Sequence, residues 1–191
     1  AHQIKLPLLG QHQLENATTA IVALEALRPA GFEVPDEAIK AGLEAVKWPG
    51  RIEVLKRRPF VIVDAAHTAD SARRLRDTLG EYLRIDSATL VVGVMGDKDL
   101  AGLASAVEPV AQRVIATRAD HPRALDPEVV ARLFRDLGIE TTWERTLPAA
   151  IDAALRLSTP SDAVVILGSV ALAGEARAHI LGLERDPPIT F

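Results

Sequence analysis

Four consecutive apolar residues, Phe60, Val61, Ile62 and Val63, end abruptly in Asp64-Ala65-Ala66-His67. A run this short is below helix length, and its branched residues favour extended backbone. It therefore predicts a strand covered on both faces, as the inner strands of a parallel sheet are. Thr68 follows as the cap of a helix whose first turn carries Asp70 and Ser71 and whose Ala72, Leu75, Leu79 and Leu83 recur on one face. Strand, polar elbow and amphipathic helix make one unit of a layered α/β fold. The unit puts an acid and an imidazole at the carboxyl end of a central strand, where open α/β sheets gather their ligands.

The rest of the chain repeats that alternation. Ile52 to Leu55 reads as a short strand leading into the first run. Leu90 to Met95 is the next buried strand, a helix follows from Leu100 to Val107, and Val114 to Thr117 is another strand. Asp126-Pro127 supplies a cap and first-turn pair to a helix with Val130, Leu133, Phe134 and Leu137 inward, stopped by Gly138. Ile139 to Trp143 fits a more exposed strand, Pro148 to Leu157 a helix, Ala163 to Leu167 a last buried strand and Leu172 to Leu183 a last helix. Ile189-Thr190-Phe191 is read as an edge strand. Alternating strands and helices predict a mostly parallel, doubly wound sheet over residues 48–191.

Residues 1–47 do not share this pattern. A short extended lead closes at Gly10, Ala17, Ile21 and Leu24 mark one face of a helix, and a second helix runs from Pro35 to Val46 with Ile39, Leu43 and Val46 inward. Two helices make a thin core, so this segment is read as the tail of a neighbouring domain, joined through the hinge Trp48-Pro49-Gly50. The chain starts at Ala1 with no strand before its first helix, and the expectation is a piece of a longer protein.

Composition narrows the partners. A net charge of -4 with no basic run longer than Lys56-Arg57-Arg58 argues against a nucleic-acid footprint and for a small-molecule ligand. The absence of cysteine removes disulfides and thiolate metal sites, and no apolar run approaches membrane-spanning length, which gives the cytoplasm as the simplest compartment. No cluster of His, Asp and Glu has convincing metal-ligand spacing, so no metal ligand is assigned in this chain.

Polar clusters follow the proposed strands: Asp64 and His67, then Gly96-Asp97-Lys98-Asp99, then Asp120-His121-Pro122-Arg123, then Gly168-Ser169. If the strands are parallel, all four lie along one rim, and their mix of cations, carboxylates and a hydroxyl suits an anionic or zwitterionic ligand. Each cluster also has a plain structural explanation. Asp64 could bind backbone amides, Asp99 could cap the next helix, Gly168-Ser169 could be helix capping, and Arg51, Asn16, His12 and His67 could be ordinary surface or half-buried polar residues. Neither Gly-x-Gly-x-x-Gly nor Gly-x-x-x-x-Gly-Lys-Ser/Thr occurs, so the backbone cradle for a di- or triphosphate is missing.

Taken in order, Gly10-Gln11-His12-Gln13-Leu14-Glu15-Asn16-Ala17, Pro49-Gly50-Arg51-Ile52-Glu53, Asp64-Ala65-Ala66-His67, Gly96-Asp97-Lys98-Asp99, Pro122-Arg123-Ala124 and Gly168-Ser169 with Ala173-Gly174-Glu175 resemble the carboxyl-terminal portion of the folylpolyglutamate synthase/dihydrofolate synthase family, within the Mur ligase superfamily. The resemblance covers nearly the whole chain. It implies a Rossmann-like domain that closes over a central ATP-binding domain of the same protein, with residues 1–47 as the last helices of that central domain. It also implies a monomeric ligase of folate and one-carbon metabolism. Such a ligase uses ATP and Mg²⁺ to activate a pteroate or folate carboxylate as an acyl phosphate, and the amino group of L-glutamate then attacks it.

By this resemblance Asn16, Arg51 and Asp64 contact the nucleotide or fix the closed geometry. His67 and Ser169 lie at the incoming glutamate, with His67 orienting or accepting the ammonium proton. Lys98 holds anionic substrate or developing charge, and Asp97 and Arg123 belong to the substrate side. Asp120 to Arg123 is also similar to the Asp-Asn-Pro-Arg signature of some Mur peptide ligases, which makes Arg123 a carboxylate fork in either case. Thr68 and Ala69 stand where the family has Asn then Pro. The alternatives are a peptidoglycan-precursor amino-acid ligase and a noncatalytic Rossmann-like module. The phosphate loop, magnesium ligands and pteroate pocket have no counterpart here, so the isolated chain is expected to fold without turning over ATP.

Overall fold

The computed structural model describes residues 3–184, and the edge strand read at residues 189–191 lies outside them. Contacts divide the chain into two compact units, the first ending at Pro49 and the second starting at Gly50.

The first unit is helical. α1, Gln11–Leu27, starts at Gly10, whose φ of 106° few other residues would adopt. α2, Asp36–Glu44, starts one residue later than expected because Pro35 is the cap and not the first helical residue: its carbonyl accepts the N–H groups of Ala38 and Ile39. Ile39 is buried, whereas Leu14, Val22, Leu27 and Phe32 are exposed. This is the thin core that two helices allow.

The second unit is a six-stranded sheet in the order β1-β2-β6-β3-β4-β5. β1 is Glu53–Arg57, β2 Phe60–Val63, β3 Ala88–Val92, β4 Ala111–Ala116, β5 Thr141–Trp143 and β6 Ala163–Leu167. β2, β6, β3, β4 and β5 run parallel, and only β1 is antiparallel, folded onto β2 as a hairpin. Both faces are covered. Val61, Val63, Val91, Ile115, Val164 and Ile166 pack on α6, Leu147–Arg156, and α7, Val170–Leu181. α3, Ala69–Leu83, α4, Leu100–Val107, and α5, Pro127–Asp136, sit side by side on the other face, as the alternation of strand side chains requires. The inner strands β2, β3 and β6 are almost wholly apolar for this reason.

Several boundaries move for identifiable reasons. Ile52, read as strand, has φ 45° and forms an elbow before β1. β5 starts two residues late because Gly138 and Ile139 donate back to the carbonyls of Arg135 and Phe134 and so close α5. α7 starts two residues early because the Ser169 hydroxyl accepts the N–H of Leu172. β3 ends before Gly93, and Met95 instead makes an isolated antiparallel bridge to Ala124.

β6 is the last strand among the described residues yet lies between β2 and β3, and this insertion needs glycine. A Cβ on Gly168, at φ 125°, would lie 2.4 Å from the Gly93 carbonyl oxygen. Gly168→Ala is therefore expected to cost roughly 3 kcal/mol or more. Gly138→Ala, at φ 81° with nothing within 4 Å of the added carbon, should cost only about 1 kcal/mol. Equal losses in denaturant melts would show that the β6–β3 approach is not the constraint it looks to be.

Candidate functional site

Because five strands run parallel, the four polar clusters do follow strand ends along one rim, in the spatial order Asp64-His67, Gly168-Ser169, Gly96–Asp99, Asp120–Arg123. The strand inserted last in sequence thus brings Ser169 between groups that the chain order separates.

At the β2 end, the Asp64 carboxylate is 6% exposed and fully engaged. Oδ2 accepts the N–H of Ile52 at 2.8 Å and Oδ1 that of Ala66 at 2.7 Å. Burial pushes this carboxyl above the ordinary range, while the two amides and the charges of Arg51 and His67 pull it back. The Gly50 carbonyl accepts Ala65 N–H at 2.9 Å, and the Gly50 N–H donates to Glu53 Oε2 at 2.8 Å. These bonds hold the elbow Gly50-Arg51-Ile52. Arg51 is half-buried, and among the described residues its guanidinium has no hydrogen bond or ion pair.

His67 is half-buried, with Nδ1 2.9 Å from the Ala65 carbonyl. A carbonyl only accepts, so Nδ1 carries the hydrogen and Nε2 of the neutral ring keeps its lone pair. The ring is set by the turn that follows: the Ser71 hydroxyl accepts the N–H groups of His67 and Thr68, while Thr68 accepts that of Ser71. Thr68 therefore caps α3 in full, and Ala69 takes the first helical position.

Ser169 is buried and caps α7. Beyond it, the loops after β3 and β4 are stitched together: Gly96 N–H donates to the Arg123 carbonyl and Leu125 N–H to that of Val94. Lys98 Nζ lies 3.1 Å from Asp97 Oδ2, and Arg123 approaches the same oxygen at 3.9 Å. Lys98 first, with Arg123 adding to it, holds Asp97 below the usual carboxylate range. Arg123 is 67% exposed, so its share is small. His121 Nδ1 accepts the Arg123 N–H, and Asp99 caps α4 through Gly102.

Asn16 is exposed on α1 in the first unit and donates to Gln13 Oε1 at 3.2 Å. Among the described residues no three His, Asp or Glu side chains gather to hold a metal ion. No described helix is long and apolar enough to cross a membrane.

Sequence reasoning attached no role to three residues that build the rim. Arg177 ion-pairs with Glu53 at 2.6 Å. Glu175 accepts the N–H of Asp120 at 2.8 Å and so pins the β4 loop to α7. Thr117, at the end of β4, buries a hydroxyl with no partner among the described residues. Spacing offers no signal for Arg177, which pairs with a residue 124 positions away.

A family model described as Mur ligase, glutamate ligase domain, matches residues 50–170. The chain belongs to that family. This glutamate ligase domain and the helices before it are 37% identical, over 203 residues, to the dihydrofolate synthase/folylpolyglutamate synthase of Mycobacterium tuberculosis, a match spanning 96% of this chain and 41% of that protein. The fold is that of the M. tuberculosis folylpolyglutamate synthase solved with ADP and AMPPCP, with TM-score 0.86, 36% identity, and 96% of this chain on 42% of that one. A bifunctional folylpolyglutamate synthase/dihydrofolate synthase solved with Mn, AMPPNP and L-glutamate is similar at TM-score 0.81 and 25% identity, covering 95% of this chain and 42% of that one. The chain spans about two fifths or less of the length of the curated relatives it matches first.

The glutamate ligase domain carries a pH signature at Asp64. Its folded pKa lies above the unfolded one, so the folded state holds the proton across the interval between them, and this carboxyl's contribution to stability falls as the pH rises through that interval. Asp64→Asn turns one of the two acceptors into a donor facing an N–H, which should cost roughly 1–3 kcal/mol. Denaturation of both proteins from about pH 4 to pH 7 should show the gap between them narrowing. A widening gap would mean that the amides and Arg51 outweigh desolvation.

Proposed function

We propose that the chain is the carboxyl-terminal portion of an ATP-dependent amide ligase that adds L-glutamate to dihydropteroate, folate or both through an acyl phosphate. The observation that carries this reading is the rim itself. An arginine on a hydrogen-bonded backbone elbow, its guanidinium uncommitted, and an imidazole whose Nε2 lone pair is left open by the Nδ1 bond, stand at the end of β2, beside a buried helix-capping serine. An anionic ligand with a zwitterionic co-substrate suits that set. The family membership and the nucleotide- and glutamate-bound relatives support it.

The nucleotide supplies the phosphoryl group that turns a poor carboxylate electrophile into a reactive one. The residues here bind and orient. Arg51 fits polyphosphate because guanidinium stays charged and forks onto two oxygens. Asp64 serves the nucleotide side by fixing the Arg51 elbow, and Asn16 is assigned to the nucleotide on resemblance alone. His67 Nε2 takes or steers the proton of the glutamate ammonium, leaving the amine lone pair free to attack. Ser169 and the first amides of α7 receive a glutamate carboxylate. Lys98, drawn to Asp97 in this structure, meets the charge that develops on the acceptor side, with Arg123 nearby as a carboxylate fork. The metal ligands and most of the phosphate cradle belong to the amino-terminal part of the longer protein, which is the partner this domain closes on.

In the full-length protein, Arg51→Ala should raise KM for ATP and His67→Ala KM for glutamate, each by about tenfold to a hundredfold. Steady-state assays with ATP, glutamate and each pteridine acceptor measure this. Substitutions that lower only the melting temperature would remove the site assignments. Glutamate-dependent ATP hydrolysis by the 191-residue chain alone would remove the claim that the rest of the protein is needed.

A further inference from the structure

The backbone at Arg51 is held against its own preference. Ile52 is 3% exposed and has φ 45°, a left-handed conformation that a β-branched residue enters at a cost of roughly 1–3 kcal/mol. Gly50, on the other side of Arg51, has φ 71°. Two carboxylates restrain the elbow. Asp64 takes the Ile52 N–H, and Glu53 takes the Gly50 N–H with Oε2.

Oε2 of Glu53 has a second donor, Arg177 Nε at 2.6 Å. Arg177 lies on α7 one turn beyond Ala173, whose Cβ is 3.5 Å from where a Cβ on Gly50 would stand. Residues four apart share a helix face, so Ala173 and Arg177 form one seat for the elbow on α7, in line with the Ser169 cap. The ion pair is partly shielded, with the two side chains 25% and 24% exposed. With the Gly50 amide and Arg177 Nε both on Oε2, the pair restricts which rotamer of Glu53 can meet the Gly50 amide.

We propose that Glu53 and Arg177 are positioning residues for Arg51: their ion pair locks the Gly50 amide and, with it, the strained Ile52 backbone that presents the Arg51 guanidinium to a nucleotide polyphosphate. This deepens the reading above and rests on it. Neither residue touches the ligand. α7 thus serves two neighbouring parts of the rim, with Ser169 as its own cap beside the glutamate side and Arg177 bracing the nucleotide side.

The test is a double-mutant cycle in the full-length protein, read by calorimetric titration with ADP so that turnover is not required. Arg177→Gln should weaken ADP binding about tenfold in the wild-type background and leave it unchanged in an Arg51→Ala background, because the effect passes through Arg51. Arg177→Lys, which keeps the charge at Glu53, should recover most of the affinity. If Arg177→Gln does not fold, Glu53→Gln runs the same cycle. A loss of equal size in both backgrounds, or no loss in the first, overturns the positioning role. No effect of Arg51→Ala itself would instead overturn the assignment of Arg51 to the nucleotide.

Discussion

The carboxyl rim of the sheet depends on the place where β6 passes β3 at Gly168 and Gly93. An added carbon on Gly168 would strike the Gly93 carbonyl, and one on Gly93 would lie 2.9 Å from both Leu172 and the Thr117 carbonyl. Three backbones and the first turn of α7 therefore share a space from which side chains are excluded. That closeness lets β6, about a hundred residues beyond β2 in sequence, slot between β2 and β3, and it sets Ser169 between the Asp64 elbow and the Lys98 loop.

Around that point the polar residues mostly hold backbone. Asp64 carries two amides, Glu53 one amide and an arginine, Ser169 and Asp99 each a helix start, and Glu175 the β4 loop. A buried N–H left without an acceptor costs more than the bond itself contributes, so each of these groups secures a turn that would otherwise be unfavourable. What they free matters as much. The backbone at Arg51 and the ring of His67 are held by neighbours, while the Arg51 guanidinium and His67 Nε2 make no hydrogen bond among the described residues. Rigid support for groups left open to a ligand is the arrangement that binding and catalysis need.

The structural explanations weighed for the sequence clusters hold together with the functional ones. Asp64 binds backbone amides, Asp99 caps α4 and Ser169 caps α7, as a cautious reading of each motif alone allows. The same residues stand on the rim because strand ends are where the backbone turns, and turns are both what capping groups stabilise and where side chains are free to face a ligand. Thr68 illustrates the point in reverse. It and Ala69 stand where the resemblance read from the sequence implies Asn then Pro, yet the capping box forms and the Ser71 hydroxyl accepts the His67 N–H.

By itself the sequence determined the layered α/β class, the order of strands and helices, and the four polar clusters after strands. Those depend on local signals: short branched runs, caps and helical periodicity act within a few residues. Three things were decided only by tertiary structure: the insertion of β6 between β2 and β3, the left-handed turn at Ile52, and the pairing of Glu53 with Arg177. Each joins segments far apart in the chain, or forces one residue against its own preference because distant hydrogen bonds outweigh it. Local propensity carries no record of such long-range competition.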